Sequence, residues 1–221
     1  MKSVSQLETD DWRLRTKVMF QTISWVSLSL VLAGIVVHWI ASPSSLLAKR
    51  EAPDAGGRPS SGCGVGKLST LACAVAFGSL VILFVTGFGG RLLLGEAIHG
   101  YTLMVHVGLA PVFVISAGVM LVAWSYQCGL NENDRRGLAS LLCLRKTAKA
   151  DTVNLGWKLT FWLAMALVVP VSLSMVLGMF PIFGTHGQET LLCLHQYSSL
   201  ALTLVAMIHV HLVIRRKALC S

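Results

Sequence analysis

Five long apolar runs decide what this chain can fold into. They lie at approximately residues 18–41, 67–88, 98–124, 157–180 and 191–214, and no Asp, Glu, Lys or Arg stands well inside any of them. Each is long enough to cross a hydrocarbon layer about 30 Å thick as a helix rising about 1.5 Å per residue. Lipid offers a backbone no hydrogen bonds, so such a segment satisfies its own by coiling. The expected fold is all-α: an integral membrane helical bundle of five transmembrane helices, forming one membrane domain over 1–221.

Composition agrees. Of the 221 residues 54% are hydrophobic and 13% charged, and the mean hydropathy is +0.70. A net charge of +8 could invite nucleic acid, but the basic residues flank the apolar runs, where they set topology. No nucleic-acid partner is expected, and membrane lipid is. The six cysteines form neither CxxC nor CxxCH, which removes zinc ribbons, thioredoxin-like motifs and covalent c-type haem. Seventeen mostly polar residues precede the first run, and that run is too long for a signal peptide's apolar region.

The connectors differ in kind. Residues 42–66 are rich in Pro, Gly and Ser and read as a flexible connector; 125–156 form a basic loop; the segments near Arg91 and Pro181 are short. With five spans, one side receives four, six and three Lys/Arg from 42–67, 125–158 and the tail, and the other receives four from the N-terminal tail and one at Arg91. The expected orientation has the N-terminus outside and the C-terminus cytoplasmic. Lys67-Leu68 and Lys158-Leu159 open two spans 91 residues apart, and His99-Gly-Tyr101 answers His195-Gln-Tyr197. That weak repeat suggests two helical hairpins, each a span, a tight loop and a histidine opening the next span.

Histidine is the polar chemistry left inside. Six of the seven, all but His186, lie in or at the edge of a span, and ionisable groups within membranes are functional candidates. Neutral imidazole is a metal ligand. His195 and His209 stand 14 residues apart in one run, on one helix face and about 21 Å apart along the axis. With the N-terminus outside, His99 and His195 fall at one level and His38 and His209 at the other. Each pair could hold one haem iron. His106 lies about 10 Å deeper than His99; it could replace His99, line a quinone pocket or bond within the core. His211, about 200° round from His209, is expected to face lipid or headgroups. His186 falls in a loop. Glu96, Arg91 and Glu189 stand near the His99/His195 level, where they could meet haem propionates or a quinone or simply be solvated.

The run HQYSSLALTLVAMIHVHLVIRRK, residues 195–217, resembles the last core helix of bacterial di-haem cytochromes b. These include the membrane subunits of formate dehydrogenase, nickel–iron hydrogenase and thiosulfate reductase, and the bacterial cytochrome b561 group. The segment GEAIHGYTLMVHVGLA, residues 95–110, resembles the family's earlier ligand helix, with His99 in the ligand position. The resemblance implies a four-helix haem-binding core, haem b in two copies or one, and axial ligands His99, His195 and His209. His38 enters as the fourth ligand from the pairing of levels with His209, not from the resemblance. The family often places its remaining ligand near the start of its first helix, whereas His38 stands near the end of a span. It also implies an electron-transfer subunit of a respiratory oxidoreductase in the bacterial inner membrane. Quinone would be the exchangeable substrate, and a multihaem cytochrome c or iron–sulfur protein the redox partner. Substrate chemistry would belong to that partner. A haem-free transporter and a structural anchor subunit are the competing readings.

Overall fold

A computed structural model describes residues 4–41, 67–125, 128–129 and 149–220. The expected connector 42–66 and most of the basic loop lie outside them. Among the described residues there are five long helices: α1 (Val4–Ala41), α2 (Lys67–Gly89), α3 (Gly100–Ser125), α4 (Lys149–Gly178) and α5 (Gly184–Cys220). Each is long and apolar enough to cross a membrane. The helical membrane bundle read from the apolar runs is the observed architecture.

Three helix ends differ from the sequence reading. Helix α1 starts at Val4, far ahead of its apolar run, because no Gly or Pro interrupts the chain before Gly34. Helix α2 runs on into a π-helical turn, Gly90–Leu94; Gly95 closes it in the left-handed region (φ 68°), its N–H donating to the Gly90 carbonyl. Gly100 also has positive φ, 57°, so α3 begins there and His99 falls outside it. Between α4 and α5, Pro181 opens a single 3-10 turn, Pro181–Phe183, and Gly184 (φ 60°) turns the chain straight into α5. The segment 184–190, expected as loop, is therefore helical, and exposed His186 lies in the first turn of α5.

Helices α2 with α3, and α4 with α5, form two tightly packed antiparallel hairpins; α1 lies along α5, and α3 touches α4. The end holding the α2–α3 and α4–α5 turns is termed here the hairpin end, and the opposite one the open end. Phe20, Phe88, Leu92 and Leu200 close the hairpin end, and Cys128, Trp157 and Phe161 the open end. The open-end cluster is tied by Trp162 Nε1 donating to the Cys128 carbonyl at 3.0 Å and Lys158 Nζ to the Gly129 carbonyl at 3.1 Å. Large side chains such as Leu30, Ile40, Met104 and Val122 point outward. Such a surface suits acyl chains, where apolar exposure costs nothing.

Candidate cofactor site between the helical hairpins

Helix α1 presents one stripe to α5: Phe20, Ser24, Leu28, Val31, Ile35 and His38, at spacings of three and four. Its upper part is closed, with Phe20 edge-on to Tyr197 at 5.3 Å between ring centres. Toward the open end the two helices part into a groove of about 320 Å³, lined by Leu30, Val31, Gly34, Ile35, Ile208 and Leu212, with His38 and His211 as its polar groups. Here His38 Nδ1 lies 3.0 Å from His211 Nε2, and Trp39 Nε1 donates to His211 Nδ1 at 3.1 Å. An indole N–H can only donate. That fixes neutral His211 with its proton on Nε2, which it gives to His38 Nδ1.

Two expectations are thereby corrected. His211 is buried against α1 and does not face lipid, because the first span packs on the face that helix periodicity had left empty. His38 meets His211 and not His209, since residues 209 and 211 point to opposite sides of α5.

The hairpin-end pair is also different from the one expected. His99 is exposed in the loop before α3. His106 takes its place: the rings of His106 and His195 have centres 6.4 Å apart and planes at 79°. Depth explains the exchange. Because α5 begins at Gly184, His195 is already 11 residues, about 16 Å, into its helix and no longer at the border. It meets the histidine that lies deeper in α3.

Each of these rings is held from behind. His195 Nδ1 lies 3.0 Å from the Val171 carbonyl of α4; a carbonyl only accepts, so Nδ1 carries the proton and Nε2 is a bare lone pair. His106 Nδ1 lies 2.9 Å from Thr86 Oγ1 of α2. The Thr86 hydroxyl gives its own hydrogen to the Ile82 carbonyl at 2.8 Å, so its oxygen accepts from His106. Again Nε2 is left bare. A backbone carbonyl or hydroxyl behind a ring nitrogen is the usual device for aiming the other nitrogen at a metal. Gly87 completes the seat: a Cβ there would lie 3.0 Å from His106 Cε1.

His209 repeats the device at the open end. Its Nδ1 is 2.9 Å from Thr160 Oγ1, and that hydroxyl bonds the Gly156 carbonyl at 2.9 Å. Its ring faces Phe161, 6.3 Å between centres, and touches no second imidazole among the described residues. Among the described residues no three His, Cys, Asp or Glu come together as a group that could hold a metal ion. Thr86, Thr160 and Val171 were not singled out from sequence as supports. A lone threonine one turn from the end of an apolar run was the available signal. Two of the three, Thr86 and Thr160, show it.

Comparison with known proteins adds no relative: no family model, no curated protein and no solved structure matches the chain.

Proposed function

We propose that this chain is a membrane b-type cytochrome that holds one haem b between His106 and His195. In this reading it passes single electrons between a quinone dissolved in the lipid and a partner redox subunit.

The observation that carries the reading is the His106–His195 geometry. Two imidazole nitrogens bound to one metal ion at about 2.0–2.1 Å, with about 1.1 Å more from each nitrogen to its ring centre, put the centres roughly 6.3 Å apart. The 6.4 Å between the ring centres is compatible with that spacing, and the Nδ1 partners of both rings would leave Nε2 of each free to hold the iron. Two imidazoles alone are a poor metal site, whereas a porphyrin brings the four equatorial nitrogens of its own. When bound, haem b supplies reversible one-electron exchange, at a potential set by its axial ligands and surroundings.

The chain's own residues contribute position and environment. Thr86 Oγ1 and the Val171 carbonyl partner the Nδ1 atoms of the two imidazoles and would hold each ring with Nε2 free for a metal. Gly87 leaves room for the His106 ring. The surrounding helices are apolar. Quinone as substrate and a multihaem cytochrome c or iron–sulfur protein as partner follow from the resemblance of the α3 and α5 sequences to di-haem cytochromes b. His209 has the right tautomer but no imidazole opposite, and His38 is engaged by His211, so one haem per chain is the stoichiometry favoured here.

The test is the absorption of purified full-length protein, oxidised and dithionite-reduced. A b-type α-band that is lost in His106→Leu and in His195→Leu supports the reading. A folded, colourless protein from haem-sufficient cells would leave the two rings as an edge-to-face contact inside a transporter or anchor subunit.

A further inference from the structure

Where α1 crosses the α2–α3 turn, two cations gather on one patch. Arg91 lies in the π-helical turn Gly90–Leu94, its guanidinium carbon 5.7 Å from the centre of the Phe20 ring. Phe20 packs in turn on Tyr197, so Arg91 sits on the face of α5 that α1 covers, turned away from His195. Lys17, three residues before Phe20, reaches the same turn: a Cβ on Gly95 would lie 4.0 Å from its Nζ. Gln21 donates to the Leu92 carbonyl at 3.0 Å and holds α1 in place there. Residues three apart on a helix are surface neighbours, about 5–6 Å between Cβ atoms, which brings the two charges together.

The patch has no anion of its own. Of the Arg91 nitrogens only Nε is buried without a partner, and the side chain as a whole is half-exposed. A ring face attracts a guanidinium but takes up none of its in-plane N–H bonds. Among the described residues no carboxylate pairs with Arg91 or Lys17, the exposed Glu96 included. Both cations also stand just inside the apolar layer. The spans end on this side at Leu14 and Leu93, so Lys17 and Arg91 lie about 3–5 Å within them. Long basic side chains at that depth reach up to the headgroups. Beside them Val18, Met19 and Leu93 expose hydrocarbon.

We propose that Arg91 and Lys17 together bind the phosphate of an anionic phospholipid, whose acyl chains lie along the apolar surface of α1 and the turn. The guanidinium offers paired N–H donors to phosphate oxygens, and the ammonium adds a point charge. A lipid of net negative charge is preferred, because a zwitterionic headgroup brings a cation of its own to a patch that already holds two. The headgroup bridges α1 to the α2–α3 turn. Helix α1 packs mainly on α5 and on this turn, and toward the open end it parts from α5 at the groove. A bound headgroup therefore fastens the first span to the bundle at the end where it is already docked. This binding is independent of the haem.

The experiment compares full-length wild type, Arg91→Gln, Arg91→Lys and Lys17→Gln, purified in a neutral detergent free of phospholipid. Melting temperature is measured with added phosphatidylglycerol, with phosphatidylcholine of the same acyl chains, and with inorganic phosphate. Retained lipid is counted by native mass spectrometry. Phosphatidylglycerol is expected to raise the wild-type melting temperature and to stay bound, with little effect from the other two. The rise should vanish in Arg91→Gln, shrink in Lys17→Gln and persist in part in Arg91→Lys. If Arg91→Gln does not fold, Lys17→Gln carries the test. An equal rise in the wild type and in the glutamine variants overturns the proposal, because the lipid then acts elsewhere. An equal rise with phosphatidylcholine or with inorganic phosphate overturns it too, the first by removing the preference for net charge and the second by removing the lipid. Haem content is read separately from the α-band, so failure here leaves the haem reading as it stands.

Discussion

His106 and His195 meet across the two hairpins with ring centres 6.4 Å apart and planes at 79°, and each is tied through Nδ1 to the helix that pairs with its own. Thr86 of α2 holds the first, and the Val171 carbonyl of α4 holds the second. Each hairpin thus supplies one imidazole and its support, and the bundle brings the two finished units together.

Removing a support should loosen the ligand without deleting it. Thr86→Val keeps the side-chain shape and removes one hydrogen-bond partner of the His106 ring, an interaction worth about 1 kcal/mol. Loss of such an outer partner weakens metal binding by roughly 10–100-fold. The expected outcome is faster haem loss from Thr86→Val, measured by transfer to apomyoglobin, and near-normal retention in Thr86→Ser, which keeps the hydroxyl.

Gly87 and Gly108 make a matched pair. A methyl group at Gly87 meets His106 Cε1 at 3.0 Å, while one at Gly108 meets nothing within 4 Å. Alanine in a helix interior is otherwise worth about 0.5–1 kcal/mol over glycine. Gly87→Ala is therefore expected to lower haem content while leaving the helical circular dichroism intact. Gly108→Ala should retain haem and melt at the same temperature or slightly higher.

The His38–His211–Trp39 cluster is expected to act on packing and not on the haem. Trp39→Phe removes the donor to His211 Nδ1, an interaction worth about 1 kcal/mol, and should lower the melting temperature in detergent modestly. His38→Leu should leave the α-band and haem content at wild-type values. Loss of a haem in His38→Leu would show instead that this residue is a ligand and that its contact with His211 breaks when the cofactor enters.

The spans were legible because uncharged apolar runs of this length have few alternatives, and all five appear where hydropathy placed them. The ends were less so. Seven residues of α5 ahead of the apolar run, from Gly184 to Thr190, are polar or small, and their helicity depends on the turn set by Pro181 and Gly184. That extension moved His195 inward and paired it with His106, where depth counted from the apolar runs had paired it with His99. Periodicity within α5 correctly separated His209 from His211, but it could not say which face α1 would cover. The stripe Phe20, Ser24, Leu28, Val31, Ile35, His38 did carry that information. Its serine, Ser24, and terminal histidine mark the side of α1 that seeks protein in place of lipid.

Haem stoichiometry of the purified chain tests the central claim most directly. Pyridine haemochrome analysis of the wild type should give one haem b per chain, falling to none in His106→Leu and in His195→Leu and unchanged in His99→Leu. Haem that survives loss of His106 but disappears with His99, or a folded wild type with none, would contradict it.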